Sequence, residues 1–231
     1  MKKIELAHLL EAGVHLGHKA NRWNPKMFPY IYTERNQVHI IDLIQTIKFL
    51  KLACIFSENA ARNNESFLFI GTNNYTAPLI TSEAERCGAF YINYRWLGGM
   101  LTNWETIKNR IERLKYLENQ EQLTAFKNIP KKEAAKLKKE LEKLKKYFNG
   151  VKEMKKLPEN ILIIDQRNDI IAVKEALSLN IQVISILDTN CDPDLATIPI
   201  PGNDDSIKSL KYLIANLVDS ICLGQSSVKK I

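Results

Sequence analysis

The sequence predicts an α/β protein: a largely parallel sheet covered by helices and interrupted by one inserted antiparallel helical hairpin. Three observations carry that expectation. Short apolar runs alternate with amphipathic stretches at the spacing of βα units. The rhythm breaks once, between residues 105 and 156, where two narrow apolar stripes replace it. That same segment holds the excess positive charge. Of 33 Lys/Arg and 26 Asp/Glu residues, 16 and 8 fall there, leaving 17 against 18 elsewhere, so the net charge of +7 belongs to one segment. Charge so concentrated points to a polyanionic partner.

In chain order, the N-terminus carries no long apolar run, no small-residue cleavage site and no Ser/Arg-rich leader, so neither secretion, membrane insertion nor organelle import is expected. His8, His15 and His18 follow. The last two have a spacing a metal could use on a helix, but Gly17 disfavours a helix and no Cys or acidic neighbour completes a site; structural or RNA-contacting histidines are expected, and no metal. Arg22, Trp23, Asn24 and Lys26 lie in an irregular stretch around Pro25, a composition suited to phosphate contact and base stacking. Residues 37–41 form the first expected strand. Behind Asp42 as N-cap, Leu43, Ile47, Leu50 and Cys54 recur at helical spacing. Strands at 67–71 and 89–93 come next; Gly71 ends the first without the glycine pattern of a nucleotide-binding loop. Cys54, Cys87, Cys191 and Cys222 are too dispersed for a zinc ribbon or disulfide framework and read as reduced small hydrophobes.

The central block supplies Arg95 for phosphate, Trp96, a Gly98-Gly99 pair that lets backbone approach closely, and Thr102 or Asn103 to cap the next helix, with Trp104 expected in the core. Ile107, Ile111 and Leu114 then form one stripe; Leu137, Leu141, Leu144 and Phe148 form another after Pro130. Residues 104–150 therefore make the hairpin, inserted in a body of 1–103 and 151–231 and closed by Gly150. Its arms span only about two heptads, so its stability alone is marginal. Lys108, Arg110, Lys138, Lys139, Lys145 and Lys146 are the cations expected to neutralise RNA phosphates; a hairpin whose lysines only maintain solubility is the alternative. Strands at 160–165 and 181–187 complete the sheet. Asp188, Asp192, Asp194, Asp204 and Asp205 cluster around Pro193, Pro199 and Pro201, where they either hold magnesium or form caps and turns. Ile207, Leu210, Ile214, Leu217 and Ile221 mark a last helix running from near Asn203 to Gly224. No catalytic residue stands out. An enzyme taking a phosphorylated ligand at the strand ends around Gly71 and Asp188 remains the alternative from another class.

Six blocks also carry a resemblance: Ala12-Gly-Val-His-Leu-Gly-His18, Trp23-Asn-Pro-Lys-Met27, Val38-His-Ile-Ile-Asp-Leu43, Arg95-Trp-Leu-Gly-Gly-Met-Leu-Thr-Asn-Trp104, Asp188-Thr-Asn-Cys-Asp-Pro-Asp194 and Ile200-Pro-Gly-Asn-Asp-Asp205. In this order they resemble the second family of small-subunit ribosomal proteins. The resemblance implies a Rossmann-like (flavodoxin-like) body with helices on both faces and a coiled-coil hairpin, no catalytic activity and no cofactor. It implies as partners small-subunit rRNA, neighbouring small-subunit proteins and the large mRNA-binding ribosomal protein one. The ending resembles plastid members, so a plastid stroma is the expected location, with bacterial cytoplasm or mitochondrion as alternatives. Asn63-Asn-Glu65 and Asn73-Asn-Tyr75 depart from the pattern, standing where many relatives have basic residues, and Tyr94 stands where a basic or polar residue is common.

Overall fold

The computed structural model describes residues 4–124, 126 and 130–228. The chain opens with a short helix, α1 (Leu6–Glu11), and an antiparallel sheet of β1 (Leu16–Lys19), β2 (Ile31–Arg35) and β3 (Val38–Ile41), with β3 in the middle. Residues 37–41 do make a strand, but outside the main sheet. The reason is local: Asn36 and Gln37 both take positive φ, 52° and 61°, the conformation of a two-residue hairpin turn, so β3 folds straight back on β2. Next comes α2 (Leu43–Arg62), capped as expected by Asp42, whose Oδ1 accepts the Ile44 N–H at 2.9 Å.

The main sheet contains β4 (Phe67–Ile70), β5 (Phe90–Ile92), β6 (Asn160–Ile163), β7 (Gln182–Leu187) and β8 (Ile198–Pro201), all parallel, in the order β5-β4-β6-β7-β8. Counted within the sheet this is 2-1-3-4-5, the flavodoxin-like order. The crossovers are α3 (Ala77–Cys87), the hairpin of α4 (Trp104–Thr124) and α5 (Lys131–Phe148), and α6 (Ile170–Ser178); α7 (Ile207–Val228) follows β8. Alternate residues of β4 serve opposite cores. Phe67 and Phe69 face α2, α3 and α7, whereas Leu68 and Ile70 face α6 and the hairpin. A strand covered on both sides must be apolar throughout, which is why 67–70 was legible as a continuous run.

β8 escaped sequence reading because of its prolines. Gly202 N–H donates to Leu187 O at 2.9 Å, which directs the even-numbered amides of this stretch toward β7 and leaves the ring nitrogens of Pro199 and Pro201 on the side away from it, where Thr46 Oγ1 of α2 donates to Pro201 O at 2.8 Å. A missing N–H there costs no ladder bond. The last helix also differs from expectation. It begins at Ile207, because Asn203 Oδ1 first holds the Asp205 and Ser206 N–H groups in a turn (2.8 and 3.0 Å), and it passes through Gly224 to Val228. Gly224 is a contact residue, not a stop: a Cβ there would lie 2.3 Å from Glu58 O and 2.8 Å from Ala61 Cβ, so its absence lets α7 lie directly on α2.

In the hairpin, Ile107, Ile111, Leu114 and Leu117 pack with Leu141, Leu144 and Phe148, and the same cluster continues through Trp96 to Leu68 and Ile163 of the sheet. Ion pairs join the two helices: Arg113 grips Glu140 through two bonds of 3.1 Å, Lys145 reaches Glu121 at 2.9 Å, and Lys152, just past α5, meets Glu118. The turn expected at the tip falls on 125 and 127–129, outside the described residues. Among the described residues no helix is long and apolar enough to cross a membrane.

Candidate nucleic-acid interface

The central block is organised around a residue that sequence reading passed over. Glu175, on α6, is buried, and its carboxylate accepts from Trp96 Nε1 (3.1 Å), Gly99 N (2.8 Å), Leu101 N (3.0 Å) and both the N–H and hydroxyl of Thr102 (each 3.2 Å). Burial opposes its ionisation, but these donors outweigh burial and hold it below the usual carboxylate range. This corrects the expectation for Trp96. Only 7% exposed and with its one donor engaged, it anchors the loop and offers no face to a base. Asn103 sits just before α4, and its Oδ1 accepts from Thr106 Oγ1 at 2.8 Å, a local role at the helix start. Arg95 remains exposed and makes no ion pair among the described residues.

The hairpin sorts its cations into two groups. Arg113, Lys115, Lys145 and Lys152 are tied to glutamates. Lys108, Arg110, Lys138, Lys139 and Lys146 are exposed and form no ion pair among the described residues. Lys139 and Lys146 come together with Lys143, Glu142, Tyr94 and Tyr147 around a shallow notch of about 270 Å³. Beside it, sharing Lys143 and Tyr147, runs a groove of about 450 Å³ lined by Arg110, Leu97, Gly98, Ile107 and Leu144 among others. Tyr94 was marked in the sequence only as a departure from the family pattern, and Tyr147 and Lys143 were not marked at all. Tyr94 is 52 residues away from Lys146 in the chain and meets it only because β5 ends at the foot of α5.

The N-terminal block is docked elsewhere, on the loop after β7. Asn24 N donates to Thr189 O at 2.8 Å, and the Asn24 side chain accepts the Lys26 N–H at 3.1 Å. Lys26 Nζ lies 2.8 Å from carboxylate oxygens of both Asp192 and Asp194, so its charge is already matched. Trp23 is 38% exposed, edge-on to His39, and Arg22 is exposed without an ion pair among the described residues. Arg22 and Trp23 thus remain candidates, whereas Asn24 and Lys26 support the loop.

The strand-end cleft where a parallel sheet of this order binds ligands is acidic. Gly17 lets β1 press against the β7 exit, since a Cβ there would meet Thr189 Cγ2 at 2.7 Å. This places His18 beside the acids: Nδ1 is 2.9 Å from Asp188 Oδ2 and Nε2 is 3.5 Å from Asp205 Oδ2. The bond to Asp188 raises the imidazole pKa; burial, with Asp188 and Asp165 nearby, raises that of Asp204. One ligand atom from each of His18, Asp188, Asp204 and Asp205 lies within 4.8 Å of the others, a set that could hold a divalent cation. The histidine and aspartate readings, separate in the sequence, converge here. An open cleft of about 290 Å³ beside them is lined by Asp165, Asp204 and Asp205. Arg167 lines this cleft together with the acids, and Gly71 N–H is already bonded to Ile92 O at 3.1 Å, so the strand end at Gly71 offers no free N–H to a phosphorylated ligand.

Comparison with known proteins points one way. The family model described as Ribosomal protein S2 matches residues 9–224. The small ribosomal subunit protein uS2c of Guillardia theta is 59% identical, covering 96% of this chain and 94% of its own length. That of Trieres chinensis is 57% identical, covering 99% and 100%. The small ribosomal subunit protein uS2 of Synechococcus sp. (strain JA-2-3B'a(2-13)) is 53% identical, covering 97% and 85%.

Proposed function

The chain belongs to the ribosomal protein S2 family, whose members are structural proteins and not enzymes, and from that premise we propose that it binds small-subunit rRNA through the outer face of its hairpin. One observation carries the reading. Lys108, Arg110, Lys138, Lys139 and Lys146 are exposed and unpaired among the described residues, on helices whose opposite sides are buried in the core. Unmatched cations on a rigid face neutralise phosphates and release their counterions. Arg22, Trp23 and Arg95 extend the contact from the body. The other partners are neighbouring small-subunit proteins, among them the large mRNA-binding ribosomal protein one. The plastid stroma is the location favoured by the relatives named uS2c, with a bacterial ribosome as the second possibility.

The test is sedimentation of a native lysate through sucrose at low and high magnesium. The chain is expected to co-migrate with small subunits and whole ribosomes; a discrete soluble peak would overturn the reading. A variant with Lys108, Lys138, Lys139 and Lys146 changed to Glu is expected to leave the ribosomal fractions while remaining folded. Lys145 is left intact because it holds Glu121 across the hairpin. Unchanged association of this variant would remove the hairpin face from the interface.

A further inference from the structure

We propose that the notch at the foot of the hairpin is a receptor for one unpaired RNA nucleotide, its base stacked on Tyr94 and its flanking phosphates held by Lys139, Lys143 and Lys146. The inference rests on the RNA-binding reading above and deepens it, because long-range attraction of phosphates explains the lysines but not the aromatic rings among them.

Tyr94 lies beyond the end of β5, is 41% exposed, and makes no hydrogen bond through its hydroxyl among the described residues. Single exposed rings are ordinary; what marks this one is its place in a concave notch among three lysines. It is also held in place. The Tyr147 ring meets it edge-on at 5.2 Å between centroids and 73°, and Tyr147 itself packs against the core. Lys146 Nζ stands over the Tyr94 ring, 5.9 Å from its centroid, so a base entering the notch meets the ring and the ammonium together and takes the place of that cation on the ring. Rigid aromatic surface flanked by cations is the arrangement that stacks a base and holds the phosphates on either side of it.

The lysines have the spacing the backbone needs. Lys139, Lys143 and Lys146 recur at i, i+4 and i+7, one stripe along α5 at about 1.5 Å per residue, so they span roughly 10 Å, close to the reach of two successive phosphates. Glu142 is the one acid of the notch. Against three lysines it does not reverse the local charge, and as a pure acceptor it can take an N–H from the edge of the stacked base. A duplex cannot enter, since its bases are already stacked; the occupant is a bulged or single-stranded residue.

The experiment is fluorescence anisotropy of the full chain with labelled single-stranded oligoadenylate, oligouridylate and a blunt RNA duplex, at two salt concentrations, for the parent, Tyr94→Leu and the combination of Lys139→Ala, Lys143→Ala and Lys146→Ala. Tyr94→Leu is expected to weaken oligoadenylate binding about tenfold, with the salt slope and duplex binding unchanged. The triple lysine variant is expected to flatten the salt slope by about one to two units. Equal binding by the parent and Tyr94→Leu overturns the stacking inference while leaving the hairpin reading intact. Parent binding that is weak and insensitive to the lysine changes overturns both.

Discussion

At the scale of single residues, two buried acids show how burial is made tolerable in one place and left costly in another. Glu175 is surrounded by five donors from one loop, and removing its carboxylate strands the buried ones, Trp96 Nε1 and the Leu101 N–H. Glu175→Ala is expected to cost about 2–4 kcal/mol, read from urea unfolding, and to redden the fluorescence of Trp96 as water reaches the indole. Asp169 is the opposite case. Its Oδ2 accepts a long bond from Thr72 N (3.3 Å), its Oδ1 has no partner, and burial outweighs the help of Thr72 and pushes its pKa up to about 6. Because the folded state prefers the protonated acid, this residue destabilises the fold progressively as pH rises from about 4 to about 6, and the penalty is constant above that. Asp169→Asn is therefore expected to stabilise the protein by up to about 3 kcal/mol at pH 7.5 and by almost nothing at pH 3. An equal gain at both values would show that ionisation is not the cause. Neither acid stood out in the sequence. Glu175 reads as an ordinary polar position on a helix, and nothing local says that a loop more than 70 residues earlier returns its donors to it.

At the scale of elements, what was legible depended on whether an element's signal was local. The continuous apolar runs of β4, β6 and β7, the Asp42 cap of α2 and both hairpin stripes lie within a few residues and were read correctly. β8 was hidden by prolines that only an edge position excuses, and β3 was read as a strand but given to the wrong sheet, because its partner is decided by the turn at Asn36 and Gln37. Gly224 looked like a helix terminator because glycine usually is one. Its actual job, set by the distance to Glu58 O, concerns the pairing of α7 with α2. Gly224→Val is accordingly expected to destabilise by about 1–3 kcal/mol in thermal unfolding by pushing the two helices apart. If the glycine were only a stop signal, a helix-favouring replacement would instead be neutral or stabilising.

At the scale of the whole molecule, charge is divided by location. The strand-end cleft, where an enzyme of this topology would work, is acidic, and the unmatched cations stand on the hairpin. The sequence showed the uneven distribution but not its refinement. Composition cannot tell Lys145, neutralised by Glu121, from Lys146 beside a tyrosine, nor foresee that His18 would stand among aspartates 170 and more residues away. The two prolines of β8 have a last consequence at this scale. A component of a large assembly spends part of its life as an orphan, made before its binding site is ready and at times in surplus. In that interval an open β-edge invites copies of the same chain to add strand to strand. With Pro199 and Pro201 turned away from β7 the edge offers no N–H at either position, and Thr46 Oγ1 already donates to Pro201 O at 2.8 Å, so a second copy would find few backbone groups left to pair with.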